Sequence, residues 1–124
     1  MTAQDSAKLI TQRVALYGVF LSIGFNAAGQ LLFKAARVAA PDASLFSLFL
    51  RPEIWAGIMV YAASAVCWLW VLSRAHLSFA YPILSLTFPI VVALSSLLFS
   101  EPISPVRWVG VGAIVFGVSL LART

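Results

Sequence analysis

Four apolar runs divide the chain, at Val14 to Phe33, Ile54 to Leu72, Phe79 to Phe99 and Val106 to Ala122. Each is close to the roughly 20 residues that a helix needs to cross the hydrocarbon core of a bilayer. The pattern predicts an all-α membrane protein, a single domain over residues 1–124 with four transmembrane helices, the last two connections being tight. Lys8 and Arg13 precede the first run and Lys34 and Arg37 follow it. A basic start, an apolar stretch and Ala27-Ala28-Gly29 also fit a signal-peptide processing pattern. The run continues through Leu31, Leu32 and Phe33, which favours a span.

The breaks between runs carry their own signals. In Glu101-Pro102-Ile103-Ser104-Pro105, Ser104 is suited to cap the fourth helix and Pro105 to its first position, where a missing N–H loses no partner. In the third run Pro82 fits a helix opening, whereas Pro89 lies inside and removes a backbone donor, predicting a kink there. A kink is tolerated in lipid only where a neighbouring helix or a wet cavity covers the freed carbonyl, so the third helix is expected to line something. The first connection, Val38 to Glu53, holds Leu45, Phe46, Leu48, Phe49 and Leu50. Either Asp42 or Ser44 could cap a short helix at headgroup level, or the segment is an apolar loop folded on the bundle.

Composition agrees with this picture and narrows the chemistry. Of 124 residues, 62% are hydrophobic and 10% charged, with a mean hydropathy of +1.01, against about 25% charged residues in soluble domains. No length remains for a separate soluble enzyme domain. The single cysteine, Cys67, excludes an intrachain disulfide framework, a CxxC centre and a cysteine-rich zinc site. The eight Lys and Arg are scattered, so no stripe follows a nucleic acid, and anionic lipid is the more natural partner. Four spans put Lys8, Arg13, Arg74 and Arg123 on one side and Lys34, Arg37, Arg51 and Arg107 on the other. This tie gives the positive-inside rule nothing to read: either the first helix fixes both ends inside, or the chain inserts both ways and pairs antiparallel.

The polar residues within the spans are the informative ones. Ser22, Asn26, Gln30 and Lys34 recur every fourth position, with Gly18 and Gly29 close to the same face. An amide facing lipid would leave donors and acceptors unpaired, so the stripe faces another helix, as interhelical glue, or a hydrated cavity. In the second reading Lys34 attracts a phosphate near one end while Gln30 and Asn26 line the wall deeper in. Tyr61, Ser64 and Trp68 share a face of the second span, as interface anchors or as part of the same wall. Tyr81, Ser85 and Phe88, with Thr87 beside them, do so in the third, next to the prolines. Gly110 and Gly117, one heptad apart with Gly112 between them, form a smooth strip expected to pack between protomers.

The four acidic residues, Asp5, Asp42, Glu53 and Glu101, lie outside the apolar cores of the spans, which argues against proton exchange at a membrane-centre carboxylate. His76 in a loop is read as solvated or interfacial rather than as a relay. Glu101 is expected to close its loop through a salt bridge to Arg107, although at a cavity mouth it could meet a cationic group on a substrate. No catalytic residues can be assembled from Ser-His-Asp sets, paired carboxylates, metal clusters or phosphate loops. Neither an enzyme nor a metal or other cofactor is expected.

Ser78-Phe79-Ala80-Tyr81-Pro82-Ile83-Leu84-Ser85-Leu86, Glu101-Pro102-Ile103-Ser104-Pro105 and Trp108-Val109-Gly110-Val111, with Ala28-Gly29-Gln30-Leu31 and Lys34 in the first span, resemble the drug/metabolite transporter superfamily at its four-helix, EamA-like end. Within it they are most similar to the aminoarabinose-phosphoundecaprenol flippase subunits. The small multidrug resistance exporters share the four-helix plan and usually work as antiparallel dimers. Matching Lys34 to their lysine puts Asn26 where they carry an essential glutamate, and matching Tyr81 to their tyrosine puts Leu84 where they carry a tryptophan. Both substitutions argue against proton-coupled export of cationic drugs.

The resemblance implies a small multidrug resistance-like bundle and a transporter subunit of the bacterial inner membrane that moves a lipid-linked sugar, on polyprenyl phosphate, between leaflets. Lys34 and Arg37 would attract the phosphate at one mouth, Asn26, Gln30, Tyr81 and Ser85 would offer neutral hydrogen bonds to sugar hydroxyls, and Glu101 would stand at the rim. Four helices make thin walls, so a homodimer, or a heterodimer with a related subunit, is implied. Two alternatives are a proton-coupled multidrug exporter and a non-transporting accessory subunit of a membrane glycosyltransferase.

Overall fold

The computed structural model describes residues 2–123. Six helices follow one another: α1 (Ala3–Ala39), α2 (Leu45–Leu48), α3 (Pro52–Leu72), α4 (Leu77–Leu84), α5 (Thr87–Phe99) and α6 (Pro105–Ala122). The helices α1, α3 and α6 and the α4–α5 pair are each long and apolar enough to cross a membrane. The chain is a multi-pass, all-helical membrane protein.

The first helix runs well past its predicted span. Its 37 residues reach about 55 Å at 1.5 Å per residue, nearly twice the thickness of a hydrocarbon core. A capping box starts it: the Thr2 hydroxyl accepts from the Asp5 N–H at 3.2 Å and the Asp5 carboxylate accepts from the Thr2 N–H at 3.2 Å. Ala27-Ala28-Gly29, the segment that fits a processing pattern, lies mid-helix with Ala27 and Gly29 buried.

The pairing of α1 with α3 is the most extensive in the molecule, and small residues permit it. A Cβ at Gly18 would come within 2.6 Å of Val71 Cγ2, one at Gly57 within 2.7 Å of the Phe33 ring, and one at Gly29 within 3.3 Å of the Gly57 carbonyl. Between these close approaches the buried Ser22 hydroxyl donates to the Ser64 carbonyl at 3.0 Å. A hydroxyl that spends its proton on a facing helix joins the two without leaving a polar group in lipid. The apolar core continues through Val19, Ile23, Val71, Ala80, Ile83 and Val118, joining α1, α3, α4 and α6.

The third span is broken, and the break falls at Ser85-Leu86 rather than at Pro89. Pro89 has no N–H to offer the Ser85 carbonyl and its ring crowds that oxygen. The Ser85 carbonyl instead accepts from the Phe88 N–H at 3.1 Å, a tighter turn that ends α4 and puts Pro89 in the first turn of α5, where no donor is lost. Local hydroxyls bond carbonyls around the break: Ser85 Oγ donates to the Pro82 carbonyl, and Thr87 Oγ1 to Leu84 at 2.7 Å. Pro82 does not open a helix, as its sequence position suggested, but sits inside α4.

In the first connection Ser44, not Asp42, is the cap: it starts the single-turn α2 by accepting from the Ser47 N–H. Phe46 on this turn is 92% exposed. Ser104 caps α6 and Pro105 opens it, as the sequence predicts. The fourth span, α6, shows most of its surface to the outside, Val109 and Phe116 included. A Cβ at Gly110, Gly112 or Gly117 would meet nothing within 4 Å, so among the described residues no other helix packs closely on these three positions.

Candidate functional site

The glycine seam and the helix break together leave a space on the other flank of α1. Asn26 and Gln30 from α1, Tyr61 from α3, Tyr81 and Leu84 from α4, Ser85 from the break, and Thr87 and Phe88 from α5 line a cavity of about 250 Å³. Gln30 and Tyr81 are exposed and Asn26 is half-buried, so the space is open rather than sealed. None of the lining residues is charged. Two amides, two phenols and two hydroxyls face one space, able to donate and accept in several directions without fixing a charge in the membrane interior.

Aromatic contacts hold the walls. Trp68 meets Tyr81 edge-on with ring centroids 6.0 Å apart, and Phe33 lies against Tyr61 at 6.4 Å. The edge-on contact fixes the orientation of the Tyr81 ring, and the tilted contact packs the Tyr61 ring against α1. The residues at the break have less freedom, since the Ser85 and Thr87 hydroxyls already donate to carbonyls of α4. Their oxygens can still accept.

Of the residues expected to bind substrate, Asn26, Gln30, Tyr81 and Ser85 are brought to this one cavity. Lys34 stands one turn beyond Gln30 on α1, where its ammonium lies 3.0 Å from the Glu101 carboxylate. This corrects the expected local bridge from Glu101 to Arg107. Ser100, at φ 54°, turns the chain sharply at the end of α5 and precedes the carboxylate that meets α1. Arg37 is not at the cavity: its guanidinium donates to the Ala43 carbonyl at 2.7 Å and the Pro41 carbonyl at 3.4 Å, fastening the connection that follows α1.

Ser22, the first member of the polar stripe, is not at the cavity either, because its hydroxyl is spent in the α1–α3 seam. Tyr61, for which the sequence leaves both an interface anchor and a part of the wall open, lines the cavity. Its helical spacing to Ser64 and Trp68 was the available signal, but Ser64 is buried in the seam and Trp68 backs Tyr81, so the shared face divides into three roles.

No family model and no solved structure matches the chain. Curated relatives do. The chain is 30% identical over 112 residues to the probable 4-amino-4-deoxy-L-arabinose-phosphoundecaprenol flippase subunit ArnE of Pseudomonas fluorescens, covering 89% of this chain and 98% of the relative. It is 35% identical over 95 residues to the protein of the same name in Aeromonas salmonicida, covering 75% and 83%. It is also 36% identical over 112 residues to the probable flippase subunit ArnF of Erwinia tasmaniensis, with the same named substrate, covering 81% and 87%. These relatives are named as flippase subunits, not as enzymes.

Proposed function

Since the chain belongs to the family of 4-amino-4-deoxy-L-arabinose-phosphoundecaprenol flippase subunits, we propose that it is one subunit of a carrier that moves a sugar linked to polyprenyl phosphate between the leaflets of the bacterial inner membrane. The observation that supports this reading is the uncharged, hydrogen-bonding cavity between α1, α3 and the broken α4–α5 span. Sugar hydroxyls both donate and accept, and neutral partners can exchange with them without the desolvated ion pair that would trap a charged group midway. The tails need no protein path, because they remain in hydrocarbon throughout.

Lys34 and Glu101 suit the rim of such a path. A headgroup carrying both an amine and a phosphate could exchange with this ion pair, amine to carboxylate and phosphate to ammonium, leaving no net charge unpaired. The cavity is walled by one side of a thin bundle, so a second subunit is needed to close it. The open Gly110 and Gly117 strip of α6 suits close approach of that subunit, either a second copy or a related four-helix chain.

The test is reconstitution of the chain, alone and with a related four-helix subunit, in vesicles carrying a polyprenyl-phosphate amino sugar. Asn26→Leu combined with Gln30→Leu is expected to slow translocation at least tenfold while leaving helicity and assembly as in the parent. Lys34→Ala is expected to weaken loading at one leaflet. Translocation at the parent rate in the double variant would remove the cavity from the path.

A further inference from the structure

The two ends of the bundle are equal in basic residues and unequal in acidic ones. Asp42, Glu53 and Glu101 all lie at the end that carries Lys34, and Asp5 alone lies at the end that carries the N-terminus. At the Lys34 end three of the four cations are engaged: Lys34 with Glu101, Arg51 with Glu53 at 3.1 Å, and Arg37 with two carbonyls. At the other end Lys8, Gln12, Arg74, His76 and Phe79 surround a second cavity of about 220 Å³, between the start of α1 and the α3–α4 turn. No carboxylate lines it. Asp5, one turn before Lys8, lines an adjoining opening that shares Lys8 and Gln12 with this cavity, and the Lys8 charge helps to hold its carboxyl below the usual range after the hydrogen bonds from Thr2.

We propose that this second cavity is a phosphate site for an anionic lipid headgroup. It rests on the carrier reading only for which lipid fills it in the cell, since binding here requires no transport. Lys8 and Arg74 can only donate, and Gln12 and His76 each add an N–H donor. The Arg74 guanidinium lies 4.2 Å over the Trp70 ring and donates to the Ser73 hydroxyl at 3.1 Å, so it is held in place before any anion arrives. A guanidinium fixed by stacking keeps its remaining N–H groups ready for phosphate oxygens. The height also fits: Lys8 and Gln12 precede the apolar part of α1 and Arg74 follows that of α3, which places the donors at the headgroup level. Phe79 supplies the apolar wall on which the first carbons beyond the phosphate can rest.

The experiment uses the full chain in neutral detergent. Dihexanoyl phosphatidic acid and dihexanoyl phosphatidylcholine are titrated in parallel, with bound lipid read by native mass spectrometry. The parent is expected to take up the phosphatidic acid, and Lys8→Ala combined with Arg74→Ala to bind it at least tenfold more weakly. Arg107→Ala, which removes one cation from the opposite end, is expected to stay within twofold of the parent. Arg74→Lys in the Lys8 background is expected to recover most of the affinity, which a merely misfolded protein could not do. Competition by inorganic phosphate would support a site that reads the phosphate alone, and its failure one that needs the tail; both support the proposal. Equal binding of the two lipids, or unaltered binding in the double alanine variant, would overturn it. A chain that binds here and does not flip would count against the carrier alone, and one that flips without binding here against this site alone.

Discussion

The two flanks of α1 are built from the same short list of small and polar residues and do opposite things. On the α3 side, Gly18, Gly29 and Gly57 bring backbones together and Ser22 bonds straight across, leaving no room between helices. On the α4–α5 side, Asn26 and Gln30 face a broken helix that stands off, and the gap stays open. Glycine removes distance, and an amide opposite a break preserves it. Rigidity is thus concentrated along one edge of the helix and accessibility along the other, which lets a bundle of only four spans hold a cavity without losing its shape.

Substitutions along this divide separate the two roles. Gly18→Leu is expected to do most damage, because its side chain must displace the fully buried Val71 as well as Trp70; overpacking of this kind costs about 1–3 kcal/mol. It should appear as a lowered unfolding midpoint in detergent, and an unchanged midpoint would mean that the seam is looser than described. Ser22→Ala removes one interhelical bond, for which membrane double-mutant cycles average about 0.6 kcal/mol. A loss as large as that of Gly18→Leu would show that the hydroxyl, rather than shape, holds the seam. Gly117→Ala is expected to have the smallest effect, with no fall in the midpoint of the isolated chain, since nothing stands within 4 Å. Crosslinking in membranes sharpens the contrast: if α6 meets a partner, the same substitution reduces subunit association.

Local signals were legible in the sequence and angular ones only partly so. Ser104 and Pro105 announce α6 because a cap and a first-turn proline act within three residues. Ser22, Asn26, Gln30 and Lys34 read as one stripe, yet each step of four residues turns about 40° further round a 3.6-residue helix. Over the three steps the stripe rotates by about 120°, enough to carry it from the α3 seam, across the cavity, to Glu101. The sequence pairs Glu101 with its neighbour Arg107, since chain proximity cannot reveal that Ser100 turns the loop back toward α1. Pro89 marks a kink at its own position in the sequence, whereas the crowded carbonyl lies four residues earlier. For Tyr61 nothing in its own helix decides between an interfacial anchor and a part of the wall, because the decision depends on where α4 and α5 stand.

The lack of any charge on the cavity wall has a further consequence. Histidine is the side chain that ordinarily changes charge between pH 5 and 8, and no histidine or carboxylic acid lines this space. Acidifying either compartment therefore leaves this chain's part of the wall as it was, and any sensitivity to a proton gradient has to enter through the cargo's own ionisation, the ends of the bundle or the subunit that closes the cavity.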